Sequence, residues 1–278
     1  MSSAALRWEA NAFVGFFERQ KNLYKRYWMW ELAWFSYSLV SVLSIGYLAS
    51  GLGALGFESS HVDIKATQLY LLAGSLLWGY LSLVFFDVAF AIGWERWEGT
   101  IEYTFMAPVR RVTHLMGVCL FAVLYGLLRT GLVALVVVLL FHLDLSHADL
   151  LSATVILAVA TVPLVGVGIL TSILPLLSPE KGEQMTVAVQ GFLLLVSGVY
   201  YPLTVLPGVL QFLGRISPLT YTLSGVRDAL LRHASLADEL PNIGILVGMG
   251  VLLIPFGLWV FSRAEHRAKR LGLLKRSG

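Results

Sequence analysis

The chain has 278 residues, of which 57% are hydrophobic and 13% are charged, whereas soluble domains carry about 25% charged residues. The net charge is +3, and the single cysteine, Cys119, excludes an intramolecular disulfide. A soluble core of this length cannot bury so much apolar surface, and runs of 18 or more apolar residues instead predict membrane-spanning helices. The composition therefore predicts an all-α integral membrane protein, with Cys119 as a small buried residue.

The first segment, residues 1–27, lacks the compact apolar core and small-residue cleavage site of a signal peptide. Its apolar residues recur at helical spacing, and most polar residues fall on the opposite face. The apolar face comprises Leu6, Ala10, Phe13, Phe17 and Tyr24. This pattern predicts an amphipathic helix in the cytoplasmic interface, with its basic residues near anionic headgroups. A plain polar lead-in is the alternative, which the density of aromatic residues disfavours.

Six transmembrane helices are predicted within residues 28–262. In chain order they cover residues 28–49, 67–92, 114–141, 150–177, 187–201 and 243–261. The fifth is shorter than the roughly 20 residues that a crossing helix needs. Fifteen of the 20 Lys and Arg residues fall on the side that holds both termini and the loop after the second span. That side is therefore predicted to be cytoplasmic, and residues 263–278 are predicted to form a basic cytoplasmic tail.

The segment after the fifth span, at about residues 202–232, is too apolar for an exposed loop. Prolines and glycines interrupt it too often for a crossing helix. The interruptions are Pro202, Pro207, Gly208, Gly214 and Pro218. Because non-helical backbone at membrane depth must be covered by protein or water, we predict two re-entrant half-helices that enter from the outer face. A loop lying flat on the outer leaflet is the alternative.

Two ionisable residues fall inside predicted spans: Asp87 in the second and Arg129 in the third. Such groups cost several kcal/mol unless they are paired or hydrated. Their predicted depths differ by roughly 13 Å, so a mutual ion pair is not expected. We expect Asp87 to be hydrated near the inner face, and Arg129 to meet a backbone carbonyl or an outer carboxylate such as Asp228. A structural role for Arg129 is favoured over a role in translocation.

Motifs for catalysis and for nucleotide binding are missing from the sequence. It contains neither a GxxxxGK[ST] phosphate loop nor HExxH, and its six histidines are scattered without cysteine partners. The several midplane carboxylates or histidines typical of secondary carriers are also missing. We therefore predict no catalytic residue, no metal, no cofactor bound by this chain and no nucleic acid partner. Energy for uphill transport would have to come from a separate protein.

The loop between the second and third spans, at about residues 94–111, is unusually elaborate. It contains three glutamates, three arginines, two tryptophans and Pro108. A short helix is predicted around residues 99–105, ending before the proline. Glu98 and Glu102 are four residues apart and are expected to share one face of it. A rigid helix with aromatic and acidic groups suits docking on a soluble partner, and a loop lying on the membrane is the alternative.

Two motifs together carry a resemblance to a known family. The first is E-R-x-x-G-T-x-E followed by A-P-V, at Glu95, Arg96, Gly99, Thr100, Glu102, Ala107, Pro108 and Val109. The second is S-G-V-Y-Y-P, then L-P, then S-P-L-T-Y, at residues 197–202, 206–207 and 217–221. In this order they resemble the permease subunit of a bacterial ABC exporter of the ABC-2 type, in the daunorubicin-resistance-like branch. The resemblance spans nearly the whole chain and departs from the family pattern at Trp97 and Phe105.

The resemblance implies a coupling helix that docks on a separate ATP-binding subunit, which would bind ATP and Mg. Its coupling residues would be Trp94, Glu95, Arg96, Glu98, Gly99, Thr100, Glu102 and Pro108. The translocation path and outer gate would include Phe192, Leu195, Gly198, Tyr200, Tyr201, Pro202, Pro207 and Pro218. Two permease copies, forming a homodimer or a heterodimer, would assemble with two ATPase subunits in a bacterial or archaeal plasma membrane.

The fifth span bears on the substrate, because its side chains are mainly apolar and aromatic, with Gln190 as one polar group. Such a path favours lipophilic or amphipathic molecules, including lipids, that are bound through contact area. Export of a polysaccharide or lipid-linked glycan is the first alternative, for which more aromatic platforms and polar groups would be expected. An ATP-independent channel or secondary carrier, and an interaction protein without transport, are alternatives of other classes.

Overall fold

The computed structural model describes residues 3–54, 64–143 and 148–274, and these residues contain helices and no strand. The first half holds α1 (Ser3–Arg26), α2 (Trp28–Ala54), α3 (Ile64–Ala89), α4 (Ala91–Glu98), α5 (Ile101–Met106) and α6 (Arg111–Phe141). The second half holds α7 (Leu150–Thr171), α8 (Ile173–Leu177), α9 (Gly182–Val196), α10 (Gly208–Ile216), α11 (Pro218–Leu231) and α12 (Leu240–Arg270). A single 3-10 turn, Leu203–Val205, precedes α10 in the described chain.

Within the described residues, five stretches are long and apolar enough to cross a membrane. They are Trp28–Gly51, Lys65–Ala89, Arg111–Phe141, Leu150–Leu177 and Leu240–Arg270. They match five of the six predicted spans and confirm a multi-pass membrane protein. The remaining predicted span, the fifth, corresponds to α9. This helix has 15 residues and is about 22 Å long, which is shorter than the ~30 Å hydrocarbon core. Because α9 ends at Val196, Tyr200 and Tyr201 lie beyond the helix, whereas the predicted fifth span, residues 187–201, contained both.

The centre of the bundle is α3, which packs against α2, α6 and α7, while α7 packs in turn against α11 and α12. Glycines allow these helices to approach closely. A Cβ on Gly166 would fall closer than 3.0 Å to the backbone of Leu253 in α12, and one on Gly168 closer than 3.0 Å to Val88 in α3. The close packing fixes the position of the elements at both ends of the bundle.

Two helices are longer than a membrane crossing requires. Each of α6 and α12 has 31 residues and is about 46 Å long, roughly 16 Å more than the hydrocarbon core. The start of α6 and the end of α12 lie side by side, because Arg111 at the start of α6 pairs with Glu265 near the end of α12 at 3.1 Å. The segment predicted as a basic cytoplasmic tail from residue 263 continues the helix to Arg270, and its place outside the membrane stays a prediction. The helix stops only where Gly272 adopts a positive φ.

The amphipathic helix α1 packs lengthwise along the first half of α6. The ring centroids of Phe17 and Phe121 lie 5.7 Å apart, and those of Tyr24 and Tyr125 lie 4.6 Å apart. The predicted apolar face therefore contacts the bundle, and only Tyr27 separates α1 from α2. Placement of this helix in the membrane interface stays a prediction.

Candidate functional site: the α4–α5 hairpin and the outer helices

The elaborate loop between α3 and α6 folds as a hairpin of two short helices, α4 and α5. Gly99 separates them: it has φ +74°, and its N–H bonds to the carbonyl of Arg96 in a left-handed cap. The predicted single helix over 99–105 is wrong at its start, because this glycine ends α4 and α5 begins at Ile101. Glu98 and Glu102 therefore lie on different helices and share no face, although α5 does end before the proline.

Glu95 anchors α4 to α1 and α6. Its side chain is only 2% exposed, and Oε1 lies 2.6 Å from Nη1 of Arg19 and 2.9 Å from Nε2 of His114. Arg19 also donates to the hydroxyl of Thr100 at 2.6 Å. Burial by itself would raise the pKa of Glu95, but His114 and Arg19 together hold that pKa below its ordinary value. Glu95 is thus a buried carboxylate that fixes the hairpin in place.

Arg96 anchors the same helix to two other elements. It donates to the carbonyl of Leu273, after α12, at 2.8 Å and to the carbonyl of Leu176, in α8, at 3.3 Å. Its side chain is buried, and burial lowers the pKa of its guanidinium. Glu95 and Arg96 were both predicted as coupling residues. Their side chains are buried and face the bundle, so they support the hairpin from beneath, and their role in coupling stays a prediction.

A third anchor, Arg111, holds the end of α5. It donates to the carbonyls of Thr104 and Phe105 at 2.7 Å each, and its guanidinium lies 4.4 Å from the centroid of the Phe105 ring. These carbonyls end α5 and have no partner within the helix, so a basic side chain satisfies them. Sequence reasoning counted Arg111 only as a positive charge. The signal that could have identified it is its place immediately after the Ala-Pro-Val stop.

The outer face of the hairpin is exposed. Tyr103 and Met106 are 79% and 82% exposed, and Glu102 and Pro108 are exposed beside them. We call these four residues the docking face. Large apolar side chains that remain exposed on a supported helix are typical of a protein contact. Tyr103 and Met106 were not among the predicted site residues.

The remaining predicted coupling residues lie at the edge of the hairpin. Four of them are partly buried: Trp94, Glu98, Gly99 and Thr100. Glu98 accepts a hydrogen bond from Tyr27 at 2.7 Å, and the Trp94 ring lies 5.3 Å from that of Trp97. Of the two positions that depart from the family pattern, Trp97 is exposed and Phe105 is buried under Arg111.

At the other end of the bundle, Arg227 clamps the turn that follows α9. It is 7% exposed, and its guanidinium donates to the carbonyls of Gly198, at 3.0 Å, and Val199. It also lies 3.6 Å from the centroid of the Tyr70 ring and donates to the Tyr70 hydroxyl at 3.0 Å. Sequence reasoning counted this arginine only as an outer charge. Its place in a Pro- and Gly-rich apolar segment was the available signal.

The predicted path and gate residues separate into exposed and buried groups. Phe192, Leu195, Pro202 and Pro207 are exposed, whereas Gly198 and Pro218 are buried and Tyr200 and Tyr201 are half-buried. The buried members belong to the junction of α9 with α11, where the hydroxyls of Ser197 and Ser217 lie 2.9 Å apart. The exposed members lie along α9 and the approach to α10. Helices α10 and α11 agree with two half-helices, while their depth in a membrane stays a prediction.

The two charged residues within the spans contact protein groups. Asp87 accepts a hydrogen bond from Tyr24 of α1 at 2.5 Å, and its expected hydration near the inner face stays a prediction. Arg129 donates to the carbonyl of Trp34 at 2.6 Å, which confirms the expectation of a backbone partner. Asp228, the other partner considered, pairs instead with Arg232 at 3.1 Å.

Cys119 is buried, as expected, within the core around α3 and α6. Among residues 3–54, 64–143 and 148–274, no three His, Cys, Asp or Glu side chains lie close enough to hold a metal ion.

Together, the five long apolar helices, the anchored hairpin at one end and the broken helices at the other define a multi-pass membrane domain with two specialised ends. The sequence profile of the ABC-2 type transporter family matches residues 11–231. The chain therefore belongs to the ABC-2 type transporter family and is the membrane subunit of such a transporter. Permeases of this family have no nucleotide-binding domain and generally pair with ABC ATPase subunits, which handle ATP. No curated protein sequence gives a significant match to the chain.

Proposed function

We propose that this chain is the permease of a daunorubicin-resistance-like ABC exporter, which moves a lipophilic or amphipathic small molecule or lipid out of the cytoplasm or the inner leaflet. ATP hydrolysed on separate subunits drives the transport. Both termini and the hairpin face the cytosol of a bacterial or archaeal cell. The observation that carries the proposal is the docking face of α5, where Tyr103 and Met106 are exposed above buried charged anchors. Such a rigid apolar face suits a groove on an ATPase subunit.

The three anchors give a route by which ATPase movement reaches the spans. Glu95 connects the hairpin to α1 and α6, and Arg96 connects it to α8 and the end of α12. Arg111 connects α5 to Glu265 of α12. Because these contacts are buried and charged, the hairpin moves with the bundle, and displacement of the docking face shifts the helices as a rigid body.

The apolar surface of α9 supports a lipophilic path. Phe192 and Leu195 are exposed along this helix, whereas the amide nitrogen of Gln190 donates to the carbonyl of Ser82 in α3 at 3.4 Å. The side chain of Gln190 therefore faces α3, and the remaining apolar side chains of α9 form a lining suited to lipophilic molecules. A second copy of the chain, forming a homodimer, completes the path opposite α9. The α10–α11 segment, clamped by Arg227, forms its outer gate.

Charge reversal on the docking face tests this function. Glu102→Lys places the opposite charge beside Tyr103 without touching an anchor, because Glu102 is exposed and forms no ion pair with a described residue. We expect the variant to insert and to melt like the wild type, but to lose the permease-dependent ATPase activity of the complex reconstituted with the partner ATPase. Glu18→Lys, an equal charge change on the exposed side of α1, should keep that activity. Unchanged permease-dependent ATPase activity in Glu102→Lys would contradict the proposed coupling.

A further inference from the structure

A second candidate binding site lies away from the hairpin and the outer helices. A cleft of about 470 Å3 opens between α1, α2 and α6. Its walls are aromatic and aliphatic, with Phe17, Trp28, Leu124 and Leu128 among them, and Lys21 and Lys25 lie on its α1 edge. The volume falls within the ~300–1,000 Å3 that is usual for small-molecule sites. One edge is thus basic and the floor is apolar.

The cleft lies at the level where the helices leave the membrane. Tyr24 lines it and donates to Asp87, which is two residues from the end of α3 at Ala89. Trp28 begins α2, and it is exposed together with Trp30. Exposed tryptophans at the start of a span are typical of the membrane–water boundary. On the predicted topology this boundary is that of the inner leaflet.

The two lysines present an uncompensated positive charge. They are four residues apart on α1, so they lie on the same side of the helix, and both are exposed. Neither forms an ion pair with any described residue, whereas the neighbouring Arg26 is directed to Glu98 at 3.8 Å. The carboxylate inside the cleft, Glu31, accepts a hydrogen bond from Tyr125 at 2.8 Å. The edge of the cleft is therefore free to receive an anion.

The floor of the cleft continues along α6. Leu124 and Leu128 are one turn apart on this helix, and both are at least half exposed. They lead from the lysines toward the middle of the Arg111–Phe141 span. A ligand with an anionic group at the basic edge and a hydrocarbon chain along these leucines would complement both the charge of the edge and the apolar floor. This pairing of charge and hydrocarbon is the chemistry of a phospholipid.

We propose that the cleft holds one anionic phospholipid of the inner leaflet, with its phosphate between Lys21 and Lys25 and an acyl chain along Leu124 and Leu128. The bound lipid braces α1 against α6, on the same helix pair that holds Glu95 through Arg19 and His114. This site is separate from the translocation path, and it does not depend on the identity of the transported molecule.

Native mass spectrometry of the full chain tests the site. Protein in detergent is equilibrated with equal amounts of dioleoylphosphatidylglycerol and dioleoylphosphatidylcholine. We expect wild type to retain phosphatidylglycerol, and Lys21→Gln with Lys25→Gln to lose the preference by about thirty-fold, which is about 1 kcal/mol for each lysine. The control is Arg7→Gln with Lys181→Gln, two other exposed charges outside the cleft, and it should retain the wild-type preference.

The apolar half of the site is tested separately. Leu128→Ser should weaken retention of dioleoylphosphatidylglycerol and leave the melting temperature unchanged, because Leu128 is exposed. Addition of inorganic phosphate should not displace the lipid, since phosphate cannot use the apolar floor. Three results would overturn the proposal: equal retention of the two lipids by wild type, equal loss in the Arg7 and Lys181 control, or loss of the lipid when the partner ATPase binds. The last result would make the cleft a protein interface.

Discussion

Replacement of Glu95 by glutamine tests the hairpin anchor. Glutamine keeps the shape and one acceptor oxygen but removes the charge that lies 2.6 Å from Arg19 and 2.9 Å from His114. Removing one partner of a buried ion pair costs about 3–5 kcal/mol. Because Arg19 is 27% exposed, solvent screens part of its interaction, and we expect a loss near the lower limit, about 3 kcal/mol. At 2–4 °C for each kcal/mol, the melting temperature should fall by roughly 6–12 °C.

The effect of Glu95→Gln on the melting temperature should depend on pH in a defined direction. The pKa of Glu95 is lowered in the folded protein, so the carboxylate contributes stability above its unfolded pKa, about 4.5, and this contribution is lost as the pH falls through the folded pKa. The difference in melting temperature between wild type and Glu95→Gln should therefore be complete at pH 7 and should shrink below about pH 4.5.

The assay is thermal unfolding of the purified chain in detergent, between about pH 3 and pH 8. Glu102→Gln is the matched control, since it removes the same charge from the same hairpin at an exposed position, and it should melt within about 1 °C of wild type. If Glu95→Gln also melted within 1 °C of wild type at every pH, the carboxylate would not anchor the hairpin, and the route from the docking face to α1 and α6 would be refuted.

Two further predictions concern the end of the bundle opposite the hairpin. Arg227→Lys should lower the free energy of unfolding by about 1–3 kcal/mol, because lysine cannot satisfy the carbonyls to which Arg227 donates at the turn after α9. Its control is Arg232→Lys, at an exposed position, which should change the free energy of unfolding little. Gly74→Ala should cost about 1–3 kcal/mol, because its Cβ would fall closer than 3.0 Å to the carbonyl oxygen of Val199. Gly131→Ala, with nothing within 4 Å, should be neutral or stabilising. Thermal unfolding compares each variant with its control. An equal loss of stability in Arg227→Lys and Arg232→Lys, or in Gly74→Ala and Gly131→Ala, would contradict the contacts described.

The spans and their breaks could be predicted from sequence because they depend on local features. Apolar run length located the five long helices, and the closely spaced prolines and glycines after α9 located two short ones. Pro108 marked where the hairpin ends, since the residue before a proline is pushed out of the helical region. The need of Arg129 for a partner followed from the cost of leaving a charge unsatisfied in a span, but the choice of a backbone carbonyl over a carboxylate did not.

The roles of the hairpin residues could not be predicted, because they depend on contacts between distant parts of the chain. Burial of Glu95 requires Arg19 and His114 to converge on it, and nothing in their spacing specifies that. The left-handed conformation of Gly99 was also missed, because the helical pattern on either side of it was treated as continuous. The clamp at Arg227 depends on carbonyls freed by a turn nearly thirty residues earlier in the chain. Motif membership alone did not separate residues that support a surface from residues that form it.

The central claim is that the docking face of α5 contacts an ABC ATPase subunit. Photo-crosslinking from position 103 tests it directly: benzoylphenylalanine replaces Tyr103 in the full complex, and Val209, an equally exposed residue on α10, carries it in the control. We predict a crosslink to the ATPase from position 103 and none from position 209. Crosslinks to lipid alone from position 103, or equal crosslinks to the ATPase from both positions, would contradict the assignment of the hairpin as the coupling surface.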